Sequence, residues 1–196
     1  MLGLRTSSVV VAAATVAALA SGGAVGAGVA GADVAAAQPA PPAPVGVARL
    51  QGTFQLAGRV TVAVNVRGER PGQVVQRTWT FTSGCPVGPC PAVGLSRGRA
   101  TGSDVLVLRR RGPGRYAGNS SFYSPLRCAG RVYPRGQKIP FTITVLVTRA
   151  SYVGAVAIAT RINATYQNRT RVNLTPCVAV LGHDAARYHG QLTPAT

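Results

Sequence analysis

Residues 53–67 read TFQLAGRVTVAVNVR, and their alternation decides the fold class. Phe54, Leu56, Val60, Val62, Val64 and Val66 fall on one side of an extended chain, with Thr53, Gln55, Arg59, Thr61, Asn65 and Arg67 on the other. A period of two, with branched apolar residues on one side only, is the pattern of a half-buried strand. It predicts one strand of about 13 residues, or two bent at Gly58, since a glycine inside a strand weakens it. Arg67 to Gly72 (RGERPG) then reads as a turn.

The same pattern recurs outward from this stretch. Val74 to Thr82 puts Val75, Arg77, Trp79 and Phe81 on one face. A short strand is expected from Ala92 to Arg97. Val105 to Arg110 and Arg115 to Tyr123 flank Arg111-Gly112-Pro113-Gly114, a hairpin turn. Ile139 to Thr148 places Phe141, Ile143, Val145 and Val147 inward. Tyr152 to Tyr166 and Arg169 to Thr175 read as a hairpin around Gln167-Asn168, and Val178 to Leu181 with Arg187 to Gly190 close the chain. Eight or nine antiparallel strands on short turns, without a helical period, define an all-β chain. Successive hairpins favour an antiparallel meander closed into a β-barrel. An immunoglobulin-like β-sandwich is the alternative, although Trp79 does not lie between two cysteines at the spacing such domains use.

The first 37 residues read as an address. Arg5 gives a positive start, Val9 to Ala20 a short apolar block, and Ala35-Ala36-Ala37 a small-residue cleavage site before Gln38; Ala18-Leu19-Ala20 offers a second. The apolar block alone is shorter than the roughly 20 residues of a membrane span; the Ala-, Val- and Gly-rich run after it could lengthen a span to Ala30, so an uncleaved anchor is the alternative to cleavage. Residues 38–46, beginning QPAPPAPV, read as an extended linker, and residues 47–196 as one β domain. This reading makes the chain secreted or associated with the cell envelope. Four cysteines in such a chain imply two disulfides. Cys85-Pro-Val-Gly-Pro-Cys90 reads as a short loop turned at Gly88, so Cys85 is paired with Cys90 and Cys128 with Cys177. A four-cysteine zinc site fits poorly, because Cys128 and Cys177 lie far apart.

Charge is lopsided. Lys and Arg total 21 against 4 acids (Asp33, Glu69, Asp104 and Asp184), for a net charge of +17. Coding bias accounts for arginine over lysine but not for so few acids. The excess points to anionic partners, either envelope polymers or lipid head groups. Sequence-specific nucleic-acid binding is not expected, since aromatics are few beside the basic segments. Two places concentrate the anion-binding potential. Arg77 shares a face with Trp79 and Phe81, where it would stack on Trp79 and close a barrel end, or bind an anion at a cavity mouth. Arg109, Arg110, Arg111 and Arg115 crowd one hairpin tip.

Catalytic constellations do not assemble. Gly94-Leu95-Ser96-Arg97-Gly98 matches the nucleophile-elbow pattern, but that motif needs a strand–turn–helix and none is predicted. Glu69, Asp104 and Asp184 each fall in or beside a turn, as solvated or capping carboxylates do. His183 and His189 read as surface residues without further metal ligands nearby. The Asn-x-Ser/Thr sequons at Asn119, Asn163, Asn168 and Asn173 follow from strand composition. No catalytic residue, cofactor or metal is assigned. The expectation is an exported, non-enzymatic β-domain that binds or builds in the envelope or extracellular space. The alternative is a carrier of a small apolar ligand, marked by an interior cavity above roughly 300 Å³; a hydrolase around Ser96 comes last.

The run Arg77-x-Trp79-x-Phe81 followed by Cys85-Pro-x-Gly-x-Cys90 resembles small exported β-domain proteins of high-GC actinobacteria; Arg115-Tyr116-x-Gly118 and Cys177 fit the same picture. The resemblance covers about one fifth of the domain and implies compartment and fold, without an activity. Gly52-x-Phe54 is also similar to the Gly-x-Trp opening of lipocalins, with Phe in place of Trp, which implies a lipocalin-like barrel.

Overall fold

In a computed structural model the chain is described over residues 40–99, 102–178 and 181–194. The leader read over residues 1–37 lies outside them. The described chain opens with strand β1 (Pro42–Ala43) and one turn of 3-10 helix at Val45–Val47. Then come β2 (Gly52–Val64), β3 (Val74–Ser83), β4 (Ala92–Arg99), β5 (Gly102–Gly112), β6 (Arg115–Cys128), β7 (Arg131–Val153) and β8 (Val156–Asn168). The short β9 (Val172–Asn173) and the last strand, β10 (His183–Leu192), follow. No α-helix occurs among the described residues.

Each strand from β2 to β8 pairs antiparallel with the next, and β10 pairs with both β8 and β2. The result is an eight-stranded antiparallel meander closed into a lipocalin-like barrel, and the single closed ring excludes the sandwich. Closure pairs edges that an open sheet must protect by other means, although the β5–β6 ladder is confined to the hairpin end, Arg109–Gly112 against Arg115–Ala117. Strands β1 and β9 both add to β7, which at 23 residues overshoots the barrel.

The alternation seen at 53–67 is realised in β2. Phe54, Leu56 and Val60 are buried, while Gln55, Ala57, Arg59 and Thr61 face solvent. The strand is continuous through Gly58. A Cβ at Gly58 would overlap the Tyr188 ring and the Arg187 carbonyl, so the glycine admits a ring rather than a bend. Inward burial fades past Val60, and Val64 is exposed as the strand leaves the barrel rim. Phe54 and Phe81 meet edge to face at 5.4 Å, and Trp79 packs against Tyr188 at 5.4 Å. Each aromatic pair contributes about 0.5–1.5 kcal/mol beyond its buried area.

Two sequence expectations are corrected. The chain does not make a hairpin around Gln167-Asn168. It turns instead at Gly154, in the left-handed region at φ 60°, so that β8 runs back along β7. Asn168 is a buried anchor whose Nδ2 donates to the carbonyls of Pro140 (2.6 Å) and Thr170 (2.8 Å). The final strand is also one ladder over His183–Leu192 rather than two fragments. Val178 lies in the irregular approach to it, and residues 179–180 lie outside the described chain.

One end of the barrel is plugged. Ala48 and Leu50 are fully buried, and the backbone of Arg49 bonds to Ala157 and Ala159. Pro42–Ala43, within the stretch read as linker, pairs with Ser151 and Ala150. The Cys85–Cys90 disulfide (Cα–Cα 5.6 Å) closes a loop at the same end, where Arg49 donates to the Pro86 carbonyl. The Cys128–Cys177 disulfide (Cα–Cα 5.8 Å) ties the overshooting β6–β7 hairpin to the segment before β10, at the opposite end. Both expected pairings are present. Two disulfides place the chain in an oxidising, non-cytoplasmic setting.

Candidate functional site

At the end opposite the plug the barrel opens into a cavity of about 440 Å³. Antiparallel order brings the C-terminal ends of β2, β4, β6 and β8 together there with the N-terminal ends of β3, β5, β7 and β10. Trp79 and Tyr188 form its deep aromatic surface. Phe122, Ile139 and Tyr166 form a wall, and the β2–β3 turn reaches over the rim with Val66, Arg67 and Glu69. Small residues on the β10 side, Ala185 and Ala186, leave room that larger side chains would fill.

Charge is built into this end. Asp104, in phase with inward Leu106 and Leu108 on β5, receives Arg97 Nη2 at 2.7 Å; Arg99 Nε lies 2.9 Å from its other oxygen, close as an ion pair but off the line of a hydrogen bond. The Arg97 and Asp104 side chains are only 10% and 7% exposed. The Arg97 guanidinium lies 4.1 Å from the Phe141 ring centre and 4.9 Å from that of Tyr166, and Arg99 lies 4.3 Å from that of Phe122. Two guanidiniums therefore share one carboxylate inside an aromatic box, and Arg97 Nε has no partner among the described residues. Across the mouth Arg171 Nη2 donates to Asp184 at 2.7 Å, and Arg171 Nε is held by Asn168 Oδ1 at 3.2 Å.

The carboxylates correct the sequence reading. Asp104 and Asp184 are buried and paired rather than solvated. Burial raises the Glu69 carboxyl above its ordinary range, with Asp184 adding to the rise while Arg171 and Arg77 oppose it. Burial first, then Asp184, pushes the Tyr166 hydroxyl well above the usual tyrosine range. Burial likewise raises Tyr188. Both phenols are neutral at neutral pH.

Arg77 lines the mouth, exposed, with Nη1 donating to the Gln76 carbonyl at 2.8 Å. It does not stack on Trp79: Tyr188 covers that ring, and the cavity-lining cations that stack on aromatic rings are Arg97 and Arg99. Arg109, Arg110, Arg111 and Arg115 lie on the β5–β6 hairpin at the plugged end, so the expected anion-binding residues divide between opposite ends of the barrel. Arg110 Nη2 there donates to the Gly46 carbonyl at 3.0 Å. A shallower depression of about 480 Å³ lies on the outer wall near Arg111 and Arg115, among exposed Thr144, Leu146, Asn163 and Thr165.

Ser96 sits mid-strand in β4, exposed and paired with Thr80 and Val105, rather than on a strand-to-helix turn. His189 is exposed, its Nδ1 2.8 Å from Asn163 Oδ1, and His183 is half-buried. The described residues contain no group of three or more His, Cys, Asp or Glu arranged to hold a metal.

The sequence reading missed Arg97, Arg99, Arg171, Tyr166 and Tyr188. The signal for Arg97 was present, since Val93-x-Leu95-x-Arg97 keeps it in phase with buried positions. Arg171 and Asp184 meet only through closure of the barrel, which no local pattern encodes. No family model, curated protein or solved structure matches this chain.

Proposed function

We propose that this chain is an exported, non-catalytic binding barrel of the cell envelope or extracellular space, and that it receives a small molecule in its open end. The observation that carries the reading is the 440 Å³ cavity in a barrel plugged at one end only. Its volume falls within the roughly 300–1,000 Å³ of small-molecule sites. A purely structural barrel would gain by filling that space, because each methylene missing from a core costs contacts. The lining argues against a wholly apolar cargo, since an oily ligand would strip water from Arg77, Arg97 and Glu69 without replacing it.

Trp79 is the single tryptophan of the chain and is buried at the depth of the cavity, so its fluorescence reports occupancy directly. A screen of small molecules against the disulfide-bonded protein is expected to find ligands that shift Trp79 emission and raise the melting temperature together, as ligand linkage requires. Ligands that raise the melting temperature without touching Trp79 would move the site elsewhere. Export is tested by fractionating cells that express the full chain: recovery in the envelope or medium, oxidised, is expected, and a reduced cytoplasmic protein would end that part of the reading.

A further inference from the structure

We infer that the ligand of the open end is a small organic acid, with its acidic group received by Arg77 and Arg97 and its apolar body lying on Trp79 and Tyr188. The inference rests on the binding reading above and adds the chemical class. Five arginines (Arg67, Arg77, Arg97, Arg99 and Arg171) and three carboxylates (Glu69, Asp104 and Asp184) line the cavity or pair with its lining, an excess of two positive charges. Asp104 is shared by Arg97 and Arg99, and Asp184 is engaged by Arg171. Arg67 and Arg77 make no ion pair among the described residues. Guanidiniums do not shed their proton, so the excess cannot relax by titration.

Position separates an acid from a generic anion. Arg97 is nine-tenths buried, is held between Phe141 and Tyr166, and lines the cavity with what remains exposed. An oxygen anion beside it in the cavity would offset the surplus charge without leaving water. Arg77 stands two residues from Trp79 on the same inward face of β3, so a ligand touching both spans from charge to ring. The deeper surface is aromatic and suits an apolar body. A hydrated inorganic ion would leave Trp79 and Tyr188 uncovered.

The test uses the oxidised protein and three matched probes: 4-phenylbutyrate, its neutral amide, and 4-phenylbutylamine, with sodium sulfate as the inorganic anion. Binding is read by Trp79 fluorescence and by calorimetry. The acid is expected to bind at least about tenfold more tightly than the amide, the scale of one hydrogen bond to a charged group, and the amine and sulfate more weakly than either. Arg77→Gln, at an exposed position that leaves the core intact, is expected to weaken the acid several-fold and leave the amide unchanged. Arg97→Gln should do the same more strongly if it folds. Amide binding equal to acid binding, or tighter binding of the amine, overturns the acid class while leaving a ligand site at the mouth. Sulfate binding as tight as that of the acid overturns the apolar contact. Acid binding indifferent to Arg77→Gln overturns the assigned contact. If no probe binds or perturbs Trp79, both this inference and the binding reading fall.

Discussion

Asp104 holds two arginines at the mouth, and its energetic role follows from burial. A buried carboxylate between cations gives little net stability relative to apolar residues of the same shape, but removing one partner strands charge. Asp104→Asn is therefore expected to cost about 3–5 kcal/mol in denaturant unfolding. Arg99→Gln should cost less, because Arg99 is 22% exposed and Arg97 would keep its partner. Equal small losses for both would mean that water reaches the pair. Glu69 gives a pH signature. Its folded-state pKa is raised by burial, so the folded chain takes up a proton before the unfolded chain does. The stability this contributes is fully present below the unfolded value near 4.5 and is lost as pH rises through the folded value. Glu69→Gln should accordingly be more stable than the parent at pH 7, with the gap closing as pH falls toward 4.5; a gap that is flat with pH would show that Glu69 is fully solvated. Neither Asp104 nor Asp184 was legible as buried. Asp104 follows a turn, and around Asp184 the inward positions Ala186 and Gly190 carry little apolar bulk, leaving Tyr188 alone to mark the face.

At the scale of elements, legibility followed apolar alternation. β2, β3 and the centre of β7 were read to within a few residues because apolar or aromatic side chains recur at alternate positions, and β5 because Val105-Leu106-Val107-Leu108 is a short apolar run bounded by turn residues. The start of β7, Arg131 to Lys138, was not, since Pro134 and Gly136 argue against a strand. The structure tolerates them because β7 overshoots β8 there: the β7–β8 ladder begins at Thr142, while pairing with β6 continues to Arg131 across a bulge between Ser124 and Leu126. Pro134 and Gly136 fall in that bulge, between the Leu126–Tyr133 and Ser124–Gln137 pairs, where a missing N–H leaves no ladder bond unmade. The Cys128–Cys177 bridge pins this overshoot, joining residues 49 apart in sequence. Loop-closure entropy gives it about 4 kcal/mol, against about 2 kcal/mol for Cys85–Cys90. Cys128→Ser with Cys177→Ser should thus lower stability more than Cys85→Ser with Cys90→Ser, and only the former should loosen the mouth and shift Trp79 emission. Equal losses in thermal unfolding would show that the overshoot is anchored by β9 and not by the bridge.

For the whole molecule the +17 charge is distributed in a way that composition alone does not describe. Closing the barrel sets Arg187 on β10 directly opposite Arg59 on β2, and the β7–β8 hairpin sets Arg161 opposite Arg149. All four are exposed, and like charges placed opposite one another destabilise a sheet. Together with Arg109, Arg111 and Arg115 at the plugged end, they spread positive charge over the outer wall. Such a surface attracts polyanions without reading their sequence or shape, and the attraction weakens as salt screens it within about 8 Å at physiological ionic strength. Retention on an immobilised anionic polymer is therefore expected to fall steeply between low and physiological salt. Arg59→Glu with Arg149→Glu should reduce it further, with a shallower salt dependence because fewer counterions are released. The same pair should raise stability slightly by turning two repulsive cross-strand contacts into attractive ones, and should leave small-molecule binding at the mouth untouched. Retention that survives both salt and charge reversal would show that the wall arginines are not the contact and would return the search for a polymer site to the mouth.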